Sequence, residues 1–183
     1  MTLHADAAAR LAAWAPPGPE QVALREAYLQ HLGAHPDAML RECHPDHLTA
    51  SALVVSHDHA RVALTLHARL GRWLQTGGHC EAADPDLAAA ALREAAEETG
   101  IDGLVIDPSP VLLSRHEVPC GPVRPAHHLD VQFVAVAPRG ARLVRSEESS
   151  DLAWFGVDEL PTGVDDSVRD LVSAGARRLR GTP

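Results

Sequence analysis

Aromatic side chains are scarce in this chain, with three Trp, two Phe and one Tyr in 183 residues. A core of stacked rings is excluded, so Leu, Val and Ala must supply it. Cysteine is nearly missing as well. Cys43, Cys80 and Cys120 make no even-numbered disulfide framework, and a reducing, cytoplasmic location is the expectation. Long apolar runs are lacking: Leu87 to Leu92 falls far short of the roughly 20 residues a membrane span needs, so no membrane partner is expected. Positive charge is in deficit, sixteen basic against twenty-five acidic side chains for a net −9. That balance argues against a nucleic-acid polymer as the main partner. Met1 to Asp6 shows no basic stretch followed by an apolar one, and no secretory signal is expected there.

What is present is an ordinary globular composition, 45% hydrophobic and 22% charged, at a length that suits one domain with a short appendage. Ala5 to Trp14 is Ala-rich and predicts a short helix, broken by Pro16-Pro17-Gly18-Pro19. A second helix is expected over Glu20 to Leu32, with Gly33 as its stop. Residues 1–44 read as a helical N-terminal extension too short to bury a core of its own. It is expected to pack on the domain formed by residues 45–183 or to help a homodimer form.

From His47 the period changes. Leu48 to Val55 and Arg61 to His67 read as a strand pair around the turn Ser56-His57-Asp58-His59. Arg72 to Gln75 is a short extended piece before Thr76-Gly77-Gly78. A helix is expected from about Asp86 to Thr99, with Asp84-Pro85 as its cap signal and Gly100 as its left-handed stop. Strands are expected over Val111 to Arg115, Leu129 to Ala137 and Leu152 to Phe155, with a loop over Pro119 to Pro125. Val164 to Leu179 reads as a final helix. The fold class is α+β or mixed α/β, in layers.

On the central helix Glu94, Glu97 and Glu98 stand at i, i+3 and i+4, so three carboxylates share one face. Like charges at that spacing repel, and a bound cation would offset the cost. Converging oxygens suit Mg²⁺ or Mn²⁺ better than zinc, and magnesium commonly shares its shell with substrate phosphates. Arg93 can pair with Glu97 and orient the row. Leu92, Ala95 and Ala96 leave the other side small and apolar, able to pack on a sheet. A merely solvated charged face has the same spacing, so the flanking residues decide.

Those residues are Gly77-Gly78-His79-Cys80-Glu81-Ala82-Ala83-Asp84 and, eight residues on, Arg93-Glu94-Ala95-Ala96-Glu97-Glu98-Thr99-Gly100-Ile101. The segment resembles the Nudix box, in which Gly, five residues and Glu precede Arg-Glu-U-x-Glu-Glu-x-Gly-U, U being aliphatic. Two positions depart from the pattern: Asp84 replaces Glu, and eight residues instead of seven separate it from Arg93. The preceding strand pair, Trp73, and Trp154-Phe155-Gly156-Val157-Asp158-Glu159-Leu160-Pro161 also resemble landmarks of that family, over about residues 45–180.

The resemblance implies an α/β/α sandwich with a mixed central sheet. It also implies a metal-dependent pyrophosphohydrolase (a pyrophosphatase of the nucleoside diphosphate-X type) that directs water at phosphorus. Glu94, Glu97 and Glu98 would then hold Mg²⁺ or Mn²⁺. One of them, or a loop acid such as Glu147 or Glu148, would be the general base, and we take Glu148 as the loop candidate. Gly77, Gly78, His128 and Asp130 are candidate substrate contacts, the last two sharing a strand face.

Twelve histidines are many for this length. His79, Cys80, His116, Cys120 and His128 are candidates for a second, softer metal site, and Cys43-His44-Pro45-Asp46-His47 is another cluster, although no CxxC or HExxH spacing occurs. Gly78-His79 and His47-Leu48 are similar to features of isopentenyl-diphosphate isomerases, which share the fold and use a histidine-rich metal site. The cysteine expected before the glycine is replaced by Thr76-Gly77. A third reading is a non-catalytic Nudix-like ligand sensor. The intact carboxylates and the lack of a basic helix-turn-helix favour hydrolysis over both.

Overall fold

The computed structural model describes residues 1–119, 121–146 and 149–181. The element order is α1 (Leu3–Ala13), α2 (Pro19–Ala34), β1 (His47–Val55), β2 (Arg61–His67), β3 (Trp73–Leu74), β4 (Thr76–His79), α3 (Leu87–Thr99), β5 (Val105–Ile106), β6 (Leu112–Val118), β7 (Ala126–Val136), β8 (Ser149–Gly156) and α4 (Asp166–Arg180). One mixed sheet runs β3-β2-β1-β7-β5, with β4 also on β1, β6 on β7 and β8 on β2. Among the described residues only β1 and β7 pair in parallel, in an unbroken register from His47↔His128 to Val55↔Val136; the other strand pairs are antiparallel.

Helices cover both faces, as the α/β/α expectation requires. Leu48, Ala50, Ala52 and Val54 of β1 join Leu87, Ala91 and Ala95 of α3 in one apolar layer, with Leu11 of α1 and Tyr28 of α2. Leu53 and Val55 point the other way and meet Val168, Leu171 and Val172 of α4. Period-2 alternation therefore sends the odd positions of β1 to the α4 side.

Most expected elements are present, with instructive differences. Helix α2 runs through Gly33 to Ala34 instead of stopping at it. The buried Leu32 side chain holds this end, and His4 Nε2 lies 3.0 Å from the Leu32 carbonyl and 3.1 Å from that of His35. Tertiary contact thus overrides the glycine. Strand β7 begins at Ala126, because its first residues pair with β6 (Val118↔Ala126, His116↔His128). Strand β5 went unanticipated: two residues carry no readable period, and only pairing with Val136 and Ala135 makes them a strand.

Helix α3 is capped by Asp86, which accepts from the Ala89 N–H; Asp84 serves elsewhere. Its Gly100 stop is left-handed at φ 63°, where a Cβ would also stand 2.6 Å from Val144 Cβ. No helix among the described residues is long and apolar enough to cross a membrane.

This packing is open to two tests. Leu11 is fully buried within the layer shared with α3, so Leu11→Ala should cost about 2–5 kcal/mol in urea denaturation, and a near-neutral result would detach α1 from the core. Asp107 is partly desolvated, which opposes ionisation. Arg178 Nε at 2.7 Å and the Ser109 amide nevertheless hold its pKa below the ordinary value. The stability this lends is present above the unfolded carboxylate pKa and lost as pH falls through the lower folded one. Asp107→Asn should therefore lower Tm at pH 7 and flatten its decline on acidification.

Candidate functional site

The site is assembled where the glycines of β4 meet the last turns of α3. Glu98 Oε1 accepts from the Gly77 N–H at 2.9 Å. At Gly78 a Cβ would stand 2.7 Å from the Glu94 carboxylate, so only glycine lets the helix acid lie against this strand. Two of the three expected metal ligands thus converge on neighbouring backbone positions, while Glu97 stands exposed one turn away.

Arg93 ties the box together. Its Nε and Nη2 donate to Asp84 at 3.0 and 3.2 Å in a fork, and Nη2 also donates to the His79 carbonyl at 3.0 Å. Nη1 donates to Glu94 at 2.9 Å and to Glu97 at 3.1 Å, pairing the expected partner and one more. One guanidinium thereby counters the repulsion within the acidic row. Asp84, the residue that departs from the family pattern, is buried and also accepts the Glu81 amide at 2.7 Å. Its role is to anchor Arg93, and the extra residue before α3 leaves Asp86 free to cap.

The expected divalent ion can be tested against this donor set. Glu94 lies against Gly78 and Glu98 against the Gly77 N–H, so two carboxylates border this strand, a donor type that suits a hard cation. Glu94, Glu97 and Glu98 do not by themselves form a group of donors within 4.8 Å of one another; among the described residues His47–His79–His128 and His35–Asp37–Cys43 do. One nitrogen of Arg93 gathers Glu94 and Glu97, while Glu98 is turned to the Gly77 N–H.

Strand pairing places a second group of polar residues on the α4 side of the sheet. Thr49 lies opposite both His79 and Asp130, His47 opposite His128, and Ser51 opposite both Gly77 and Gln132. Facing residues of paired strands share a side. Asp130 is buried; Thr49 Oγ1 donates to it at 3.0 Å, Ser51 Oγ at 2.7 Å and Gln132 Nε2 at 3.2 Å. His128 and Asp130 are on one face, as their spacing implies. Sequence reasoning missed Thr49, Ser51 and Gln132, whose only signal is alternation with buried aliphatics.

His47 and His79 ring centroids lie 5.1 Å apart, His47 and His128 4.9 Å, and His79 and His128 5.0 Å. Burial lowers the pKa of His79 to about 4 and of His128 to about 3, with the neighbouring imidazoles acting in the same direction. His47 is lowered too, again chiefly by burial. The soft-site residues seen in the sequence are only partly brought together. The exposed His116 reaches His128 alone, at 5.5 Å. Cys80 alternates to the opposite, apolar layer, where burial pushes its thiol up to about 12. Cys120, Glu147 and Glu148 lie outside the described residues.

A family model described as the NUDIX domain matches residues 45–174. No curated protein matches the chain significantly. Among solved structures, a NUDIX-family hydrolase from Clostridium perfringens shares 20% identity at TM-score 0.60, covering 73% of this chain and 97% of its own. The E. coli dihydroneopterin triphosphate pyrophosphohydrolase shares 17% at TM-score 0.60, covering 72% and 95%. A C. elegans Ap4A hydrolase shares 16% at TM-score 0.58, covering 74% and 98%.

Arg93 acts on the carboxylates by positioning them. A lysine cannot reproduce its fork, so Arg93→Lys should weaken Mn²⁺ uptake by the acidic face roughly 10–100-fold in calorimetry, with Asp84→Ala doing the same. Unchanged Mn²⁺ affinity in both variants would remove this role. With the family match spanning β1 to α4 and the box laid out on β4 and α3, the chain belongs to the Nudix family.

Proposed function

We propose that this Nudix pyrophosphohydrolase cleaves a phosphoanhydride bond in a substrate of the nucleoside diphosphate-X class by directing water at phosphorus. The observation that carries the reading is the convergence of Glu94 and Glu98 on Gly78 and Gly77, with Arg93 bridging to Glu97. Glu94, Glu97 and Glu98 would hold the divalent ion, Mg²⁺ or Mn²⁺. When bound, it supplies charge neutralisation for the diphosphate and lowers the pKa of water. Solved relatives named for Ap4A and for dihydroneopterin triphosphate, both phosphoanhydrides, support the reaction class.

In the proposed step, the oxygen of water bonds to phosphorus and the bridging oxygen leaves with the electron pair of the broken P–O bond. A carboxylate takes the proton of the water: one of the helix glutamates, or Glu148. Gly77 and Gly78 would let the diphosphate approach the backbone closely, with the His128–Asp130 face beyond them as a floor. Arg93 keeps the acids at the strand. A small diphosphate is then the partner, the N-terminal helices serving as packing or as part of a homodimer.

A panel of nucleotide sugars, dinucleotides, ADP-ribose-like compounds and noncanonical nucleoside triphosphates, assayed with Mg²⁺ or Mn²⁺ and read by phosphorus NMR, tests this directly. Glu97→Gln and Glu98→Gln should each lower turnover roughly 100-fold or more while leaving the thermal melt near wild type, because the amide oxygen introduced by Glu98→Gln can still accept from the Gly77 N–H. Full activity in both variants would refute the assignment. Double-bond migration in isopentenyl diphosphate without phosphate release would instead support the isomerase reading.

A further inference from the structure

We propose that His47, His79 and His128 form a binding site for a transition-metal ion of the zinc class, separate from the carboxylate face of α3, with a fourth position left for water. One ring nitrogen from each lies within 4.8 Å of the other two. The Nε2 atoms of all three are buried, and none has a hydrogen-bond partner among the described residues. A single buried nitrogen left unpaired is costly, and three that converge on one spot demand an explanation. A shared cation supplies it.

The supporting contacts fit. His47 Nδ1 lies 3.2 Å from the Cys43 carbonyl, which can only accept. The proton is therefore on Nδ1, which leaves Nε2 as the atom with a free lone pair; metal-bound histidines commonly hold their other ring nitrogen in this manner. Among the described residues no carboxylate belongs to the group, so its chemistry favours Zn²⁺, Co²⁺ or Ni²⁺ over Mg²⁺. Three imidazoles with an open position are a common zinc arrangement. The ligands come from β1, β4 and β7, so the ion would clip three strands together beside the Gly77-Gly78 pair. The proposal goes beyond the hydrolase reading and does not rest on it, since none of its ligands is one of the carboxylates assigned to Mg²⁺ or Mn²⁺.

Metal-stripped full-length protein should take up one equivalent of Zn²⁺ or Co²⁺ and melt at a higher temperature when loaded. Bound Co²⁺ should show the intense visible bands of a four-coordinate, imidazole-ligated ion, unmoved by excess Mg²⁺. His79→Gln and His128→Gln should each weaken uptake beyond the roughly 10–100-fold that loss of an outer-shell partner costs, whereas Glu97→Gln should retain it. Lack of stoichiometric uptake by the wild-type chain overturns the proposal. So does uptake that survives both histidine variants and vanishes in Glu97→Gln, which would place the ion on α3. Should the histidine variants unfold by circular dichroism, the wild-type Co²⁺ spectrum decides alone: an all-oxygen spectrum overturns the site. Metal uptake at the histidines without any diphosphate hydrolysis would leave this inference standing and sink the hydrolase reading.

Discussion

The parallel pairing of β1 with β7 is the constraint on which the rest hangs. Every residue of β1 is buried, as a strand covered on both faces must be. Three of them are nevertheless polar and on one side: His47, Thr49 and Ser51. Burial without partners would cost each of them dearly, so the register of the neighbour is tightly specified. Asp130 satisfies the two hydroxyls, and His128 is brought opposite His47 in the same stroke. A slip of one residue would turn Asp130 into the apolar layer and strand the hydroxyls.

Strand β4, paired to β1 on its other side, lies between two donor sets of different chemistry. On α3 the donors are carboxylates, held against glycine backbone and countered by Arg93. On the α4 side of the sheet they are imidazoles, kept uncharged by burial. Hard and borderline cations would therefore sort by ligand type at neighbouring positions, with β4 serving both: Gly77 and Gly78 for the acids, His79 for the imidazoles.

Some of this was legible in the residue order. The helix of the box, its left-handed Gly100 stop and the pairing of Arg93 with Glu97 follow from i, i+4 geometry and local caps, which need no distant partner. The β1–β2 turn was legible for the same reason. Where a local signal met a distant contact, the contact prevailed. Gly33 did not stop α2 because Leu32 is buried, and Asp84 did not cap α3 because Arg93 claims it. Strand β5 and the start of β7 had no local signal to read.

The amino-acid order by itself determined the chemistry on offer: three glutamates on one helical face, the glycines before them, a chain short of aromatics and rich in histidine. Those are properties of spacing and composition, set within one or two helical turns. Which histidines meet was decided only by tertiary structure. His47, His79 and His128 are far apart along the chain, and sheet pairing alone brings them onto one face. Backbone hydrogen bonds between distant strands carry no trace in a local window; for that reason the acidic row of α3 could be read in advance, whereas the sequence offered His79 and His128 as candidates without showing that they meet each other and His47.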